Sequence, residues 1–322
     1  MSPQLTIVFA CLNDAINAAA TIASIRLTAG ERVKIVVVDD ASATPLSAMI
    51  PFENRKNARF ISNAYRCGVG PSRTIGVETA DTDWVLICDS HMTFTNGWYE
   101  ACERYLSEST ASTVWCATCL ALDSKRTNPD NPASVYQGGT LNILGPDKVN
   151  GSRTQVLEGI WHPPPVQDQE EIPCAMGAGY FVNREWFIHI DPLRHLRQWG
   201  EDELMLSVKS WLAGGSVRYM EKVRIGHKFL TKGERQPFNV MPGYPMWNKL
   251  FAIHTLCPPD VAPRFAHEYM RSVKPAEWAI AEAMLRHDWH LVAVEKARNK
   301  ELFVQDIRWL AKKFNIPFPW PN

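Results

Sequence analysis

Short apolar runs separated by polar segments dominate the first third of the chain. Leu5–Cys11, Val33–Val38 and Trp84–Cys88 are continuous apolar stretches bounded by polar residues, a pattern that predicts buried strands. Between the first two, the alanine-rich segment Asp14–Thr28 predicts a crossover helix capped by Asn13 or Asp14, and hence a βαβ unit. Asn57–Ser62 predicts a further short strand, and Pro71–Thr79 a helix with proline in its first turn. A helix follows Gly97 to about Ser109, and Thr113–Leu122 predicts a long apolar strand. Asp123–Pro173, rich in Asn, Pro, Gly and Gln, reads as loops and hairpins. Regular patterning resumes with a strand over Cys174–Val182, a helix over Glu201–Ala213 and strands near Val217 and Val223. From Pro245 onward, amphipathic runs over Pro263–Val273, Ala276–Arg286 and Lys300–Phe314 predict helices separated by prolines. The chain therefore divides into an α/β region over residues 1–244 and a helical extension over 245–322.

Composition sharpens this picture in a few places. A hydrophobic content of 46% and a charged content of 21% over 322 residues describe an ordinary globular chain with a sizeable core. No stretch approaches the ~18 consecutive apolar residues of a membrane span, and the N-terminal sequence lacks a basic segment and a cleavage pattern, so a soluble, cytoplasmic protein is expected. The eight cysteines lack framework spacing and lie mostly in apolar context, which predicts buried free thiols; the pair Cys116 and Cys119 has no second pair nearby to complete a zinc site. The net charge of zero hides an asymmetry, because residues 222–322 carry 16 Lys and Arg against 9 Asp and Glu. That excess admits an acidic partner, or simply a solvated lysine-rich face.

Candidate chemistry sits at strand ends. The run ending at Cys88 is followed by Asp89, Ser90 and His91, and alternation in an extended segment puts the carboxylate and the imidazole on one side. Such a pair suits Mn²⁺ or a similar cation that also holds a diphosphate; an Asx-turn beside an incidental histidine is the alternative. Asp39, Asp40 and Ser42 end the second strand, where a carboxylate can accept hydrogen bonds from a uracil or ribose, or cap a helix. Arg66, Gly68, Gly70 and Arg73 form a glycine-containing turn into a helix, with arginines suited to a nucleotide or diphosphate. Gly177, Ala178 and Gly179 place small residues inside an apolar segment, as close approach to a sugar or a bulge requires. Trp199 and Gly200 precede three consecutive carboxylates, Glu201, Asp202 and Glu203, at a helix start, and Gly226–His227 ends a strand.

In this order, from about Thr6 to Phe238, these pieces resemble the GT-A glycosyltransferases, specifically family 2-like enzymes and the polypeptide N-acetylgalactosaminyltransferases. The resemblance implies a GT-A nucleotide-diphospho-sugar transferase fold with a mixed, mostly parallel sheet. It implies uridine binding by Asp39, Asp40 and Ser42, metal ligation by Asp89, His91 and His227, and donor-sugar contact at Gly177, Ala178 and Gly179. Trp199 and Gly200 match the Trp-Gly that opens the acceptor-side helix, while Arg73 and Arg235 fall where donor or diphosphate contacts are expected. Where the N-acetylgalactosaminyltransferases carry Trp-Gly-Gly-Glu-Asn, this chain has Trp199-Gly200-Glu201-Asp202-Glu203, closer to the Glu-Asp signature of inverting enzymes. Asp202, with Glu201 beside it, is thus the candidate base of an inverting reaction; in a retaining one it orients the substrates.

The expected activity is metal-dependent transfer from a UDP-sugar to a hydroxyl of a protein, glycan or other polymer, with Mn²⁺ or Mg²⁺ as cofactor. One alternative acceptor is a hydroxymethylated base in DNA, suggested by the basic C-terminal third with its interleaved Trp278, Trp289, Trp309, Phe314 and Trp320. Another alternative is a non-enzymatic nucleotide-sugar-binding module. A sugar nucleotidyltransferase is disfavoured, since the segment after the first strand lacks a glycine- and lysine-rich phosphate loop.

Overall fold

A computed structural model of the chain describes residues 5–55, 57–143, 148–149, 152–153, 156–161, 165–177, 179–231, 233–241 and 243–318. In chain order the elements are β1 (Leu5–Cys11), α1 (Ala15–Ala29), β2 (Val33–Asp39), α2 (Leu46–Met49), α3 (Phe52–Arg55), β3 (Ala58–Ser62), α4 (Val69–Thr79), β4 (Trp84–Cys88), β5 (Met92–Phe94), α5 (Trp98–Ser107) and β6 (Thr113–Leu122). The hairpin region contributes β7 (Ser134–Tyr136), β8 (Gly139–Asn142), β9 (Lys148–Val149), β10 (Ser152–Arg153) and β11 (Glu158–Trp161). There follow β12 (Gly179–Asn183), α6 (Arg184–Ile190), α7 (Asp202–Leu212), β13 (Ser216–Lys228), α8 (Tyr244–Leu256), α9 (Ala262–Ser272), α10 (Pro275–His287), α11 (Trp289–Leu302) and α12 (Ile307–Lys313).

The main sheet has the order β3-β2-β1-β4-β12-β6-β13-β5, with β7 on β6. β3, β2, β1 and β4 run parallel, and β12 enters antiparallel between β4 and β6. Side chains of β1 alternate between two apolar layers, as strand geometry dictates. Ile7 and Phe9 join α1 and α5 on one face; Val8 faces the other, which includes α7 and residues of α8 to α12. The C-terminal helices thus share a core with the sheet, through Trp247, Leu250 and Phe251 against the layer that holds Leu204 and Trp211.

Several element boundaries depart from the sequence pattern, each for a local reason. The strand expected from Cys174 begins only at Gly179, because Gly177 adopts a φ of +106° that breaks the extended backbone. The strands expected near Val217 and Val223 are one strand, β13, whose register shifts between Met220 and Arg224. The single helix expected over Lys300–Phe314 is instead the end of α11 and a separate α12, since the Asp306 carboxylate accepts from the Arg308 and Trp309 amides and starts a new helix. α8 and most of α11 had no amphipathic stripe to reveal them: α8 is buried along most of its length, so its sequence shows no polar face. Asp14 does stand at the start of α1 but makes no cap; its carboxylate accepts from Asn17 Nδ2 at 2.7 Å and from Ser90 Oγ at 3.3 Å. Among the described residues no helix is long and apolar enough to cross a membrane.

Candidate active site

Three elements bring the proposed ligands together. β4 ends at Cys88 and delivers Asp89, the turn into β5 carries His91, and β13 pairs with β5 so that His227 lies opposite Met92. His227 Nε2 stands 3.0 Å from Asp89 Oδ2 and 3.1 Å from His91 Nε2, and His91 Nε2 stands 3.7 Å from the same carboxylate oxygen. One ligand atom from each residue lies within 4.8 Å of the other two, a set able to hold one cation. Two imidazole nitrogens and a carboxylate oxygen are donors suited to Mn²⁺ or a similar borderline metal. Behind His91, the Asp14 carboxylate lies 3.8 Å from Nδ1, the outer-shell placement that orients a ligating imidazole. Burial works against the charged form of His91, but Asp14 and Asp89 outweigh it and raise its pKa. Burial likewise works against ionised Asp89, yet the hydrogen bond from His227 and the Arg73 charge hold its carboxyl well below the usual range.

Arg73, on α4, lies beneath this set and is 4% exposed. Its Nη2 donates to Asp89 Oδ1 at 2.5 Å and its Nη1 to Asp202 Oδ2 at 3.0 Å. The three carboxylates at the start of α7 fan out to separate buried partners. Glu201 pairs with Lys249 of α8 at 2.7 Å, Asp202 with Arg73, and Glu203 accepts from Tyr180 Oη at 2.6 Å. Burial raises the carboxyl groups of Glu201 and Asp202 to about 7 despite their cationic neighbours.

On the nucleotide side, Asp39 and Asp40 are 2% and 4% exposed and organise the loops around them. Asp39 accepts from the amides of Ser42 and Leu46, and Asp40 from those of Cys67 and Gly68 and from Asn63 and Ser72. Ser42 Oγ accepts from the Asn13 amide at 2.8 Å. Gly177 packs where a Cβ would stand 2.6 Å from Cys119 Cβ, and Gly179 pairs with Cys88, next to Asp89. Ala178 lies outside the described residues. Trp199 is 51% exposed, and Arg235 is exposed on the segment between β13 and α8.

Asn248, which sequence patterns did not single out, and Arg66, which they did, hold this site in shape. Asn248 of α8 accepts from the Arg197 amide and donates to the carbonyls of Arg197, Trp199 and Gly200. Arg66 donates to the Asn239 carbonyl at 2.6 Å, tying the start of α4 to the segment after β13. The C-terminal aromatics mostly pack inward: Trp309 and Phe314 lie against Trp211, and Trp278 against Tyr269. All eight cysteines are free, and all but Cys67 are buried.

Residues 6–164 match the family model described as Glycosyl transferase family 2. The sheet order and the superposition reported below give the chain the GT-A fold, and its N-terminal half is similar to the family 2 glycosyltransferases. Among curated proteins it is similar to polypeptide N-acetylgalactosaminyltransferases. It is 25% identical over 214 residues to a putative polypeptide N-acetylgalactosaminyltransferase 13 of Drosophila melanogaster, covering 61% of this chain and 36% of that protein. It is 22% identical over 325 residues to polypeptide N-acetylgalactosaminyltransferase 11 of Xenopus tropicalis, covering 95% of this chain and 49% of that one. The chain thus spans between about a third and half of the length of these relatives. Among solved structures, GalNAc-T7 with UDP, GalNAc and Mn²⁺ superposes with a TM-score of 0.72 at 16% identity, over 98% of this chain and 57% of that one. Staphylococcus aureus TarS 1–349 in complex with UDP-GlcNAc gives 0.55 at 12% identity, over 97% and 91%.

Proposed function

We propose that this chain transfers a hexose or N-acetylhexosamine from a UDP-sugar to a hydroxyl of an acceptor polymer, with Mn²⁺ or Mg²⁺ held by Asp89, His91 and His227. The observation that carries the proposal is the convergence of those three side chains, from β4, the β4–β5 turn and β13, within 4.8 Å. The GalNAc-T7 structure with UDP, GalNAc and Mn²⁺ and the TarS structure with UDP-GlcNAc support the donor class. Bound there, the cation offsets the charge that builds on a departing diphosphate. Asp14 holds the His91 ring and Arg73 fixes the Asp89 carboxylate, while Gly177 and Gly179, assigned to the donor sugar, pack their Cα faces against Cys119 and Ile225. Asp39, Asp40 and Ser42 shape the loops assigned to uridine, and Trp199 and Arg235, both exposed, are assigned to acceptor and diphosphate. Asp202, whose pKa of about 7 suits a base near neutral pH, is assigned to the acceptor proton.

The test is a donor screen over UDP-glucose, UDP-galactose and their N-acetyl forms, with Mn²⁺, with Mg²⁺ and with a chelator. Metal-dependent release of UDP is expected, and equal turnover with the chelator would reject the proposal. Peptide, glycan and hydroxymethylated DNA serve as acceptor arms. Product of inverted anomeric configuration keeps Asp202 as the base; retained configuration reassigns it to holding Arg73.

A further inference from the structure

Resting on that transferase assignment, we propose that Lys249 is a positioning residue: from α8 it clamps Glu201 against Glu158 and so sets the backbone turn that aims Asp202. Lys249 is 1% exposed. Its ammonium donates to the Leu157 carbonyl at 2.7 Å and pairs with Glu201 at 2.7 Å and Glu158 at 3.3 Å. The ammonium thus lies among three oxygens drawn from β11, the residue before it and the residue that opens α7, the contact with Glu158 being an ion pair without a hydrogen bond. Burying an ammonium costs several kcal/mol, which an apolar side chain of similar length would avoid. Packing alone therefore does not account for the charge.

The backbone supplies the second observation. Glu201 has a φ of +71°, a left-handed conformation unfavourable for a side-chain-bearing residue and maintained only where surroundings over-determine it. Its carboxylate makes no cap on α7, so the clamp to Lys249 is what holds it. Asp202 is the next residue, and the direction of its side chain toward Arg73 follows from that turn. Asn248, the neighbour of Lys249, brackets the Arg197, Trp199 and Gly200 carbonyls. One turn of α8 thus fixes both sides of the loop.

The test compares Lys249→Arg, Glu201→Gln and the double variant Lys249→Met/Glu201→Gln, which leaves no unpaired ammonium. Two readouts are taken: kcat against donor KM, and amide hydrogen exchange over residues 199–203. A fall in kcat of tenfold or more in the double variant is expected, with donor KM and Mn²⁺ affinity within twofold of wild type, together with faster exchange over the loop. The single variants are expected to fall between, because each keeps a weaker contact. Wild-type kcat or wild-type loop exchange in any variant that melts within about 5 °C of the parent would overturn the clamp. An inactive parent protein would count against the transferase assignment alone, since loop exchange still decides the clamp.

Discussion

Arg73 and Asp89 form an ion pair of 2.5 Å beneath the candidate metal ligands, and the second arm of the same guanidinium reaches Asp202 at 3.0 Å. A buried arginine with two carboxylates on opposite arms fixes their separation, as the planar fork of the group allows. The carboxylate proposed for the cation and the one proposed for the acceptor proton are therefore set by one side chain of α4.

Replacing Asp89 by Ala removes a ligand and one partner of Arg73. Mn²⁺ binding, followed by electron paramagnetic resonance, is expected to vanish, and turnover to fall roughly a hundredfold or more. Arg73 keeps Asp202, so the loss in stability is expected to be modest, about 1–3 kcal/mol in urea unfolding.

Arg73→Met leaves buried Asp202 and half-buried Asp89 without the guanidinium between them. An unfolding loss of about 3–5 kcal/mol is expected. Arg73→Lys should recover part of it, because an ammonium can reach one carboxylate but lacks the fork that spans both. Equal stability of the Met variant and the parent would show that the pairing does not hold the site together.

Gly68 lies where a Cβ would stand 2.3 Å from the Gln198 nitrogen, at a φ of +105°. The close approach carries the Val69 amide to the Gln198 carbonyl at 2.8 Å, which joins α4 to the loop before α7. Gly68→Ala is expected to cost about 1–3 kcal/mol through strain alone and to displace the loop, visible as a rise in donor KM.

His254 of α8 packs edge-on against Trp289, and burial with the nearby Lys296 charge lowers its pKa to about 4. Its folded pKa lies below the unfolded value of about 6.5, so between those limits the unfolded chain binds more protons and stability falls as pH drops. His254→Gln should flatten that part of the profile. The difference in melting temperature between the variant and the parent should therefore shift in the variant's favour from pH 7 to pH 4.5. A constant difference would exclude His254 as the source.

Much of the fold was legible because its strands are buried on both faces. β4 is a continuous apolar run that stops where Asp89 begins, and β1, β2 and β6 are nearly as plain. The meeting of His227 with Asp89 was not legible from spacing, since 138 positions separate them and only the pairing of β13 with β5 closes the gap. It entered through family resemblance. The inward commitment of Arg73 and Lys249 left no trace in the pattern either. A charged residue in a helix is ordinarily read as solvent-facing, and only tertiary partners reveal that these two are sealed inside.

The Asn248 bracket also dictates an order of events during synthesis. Its side chain grips the Arg197 backbone from 51 positions downstream, so a ribosome must finish α8 before the loop carrying Trp199 and Gly200 can settle. Until then a nascent chain with its sheet already assembled still lacks the grip on that loop.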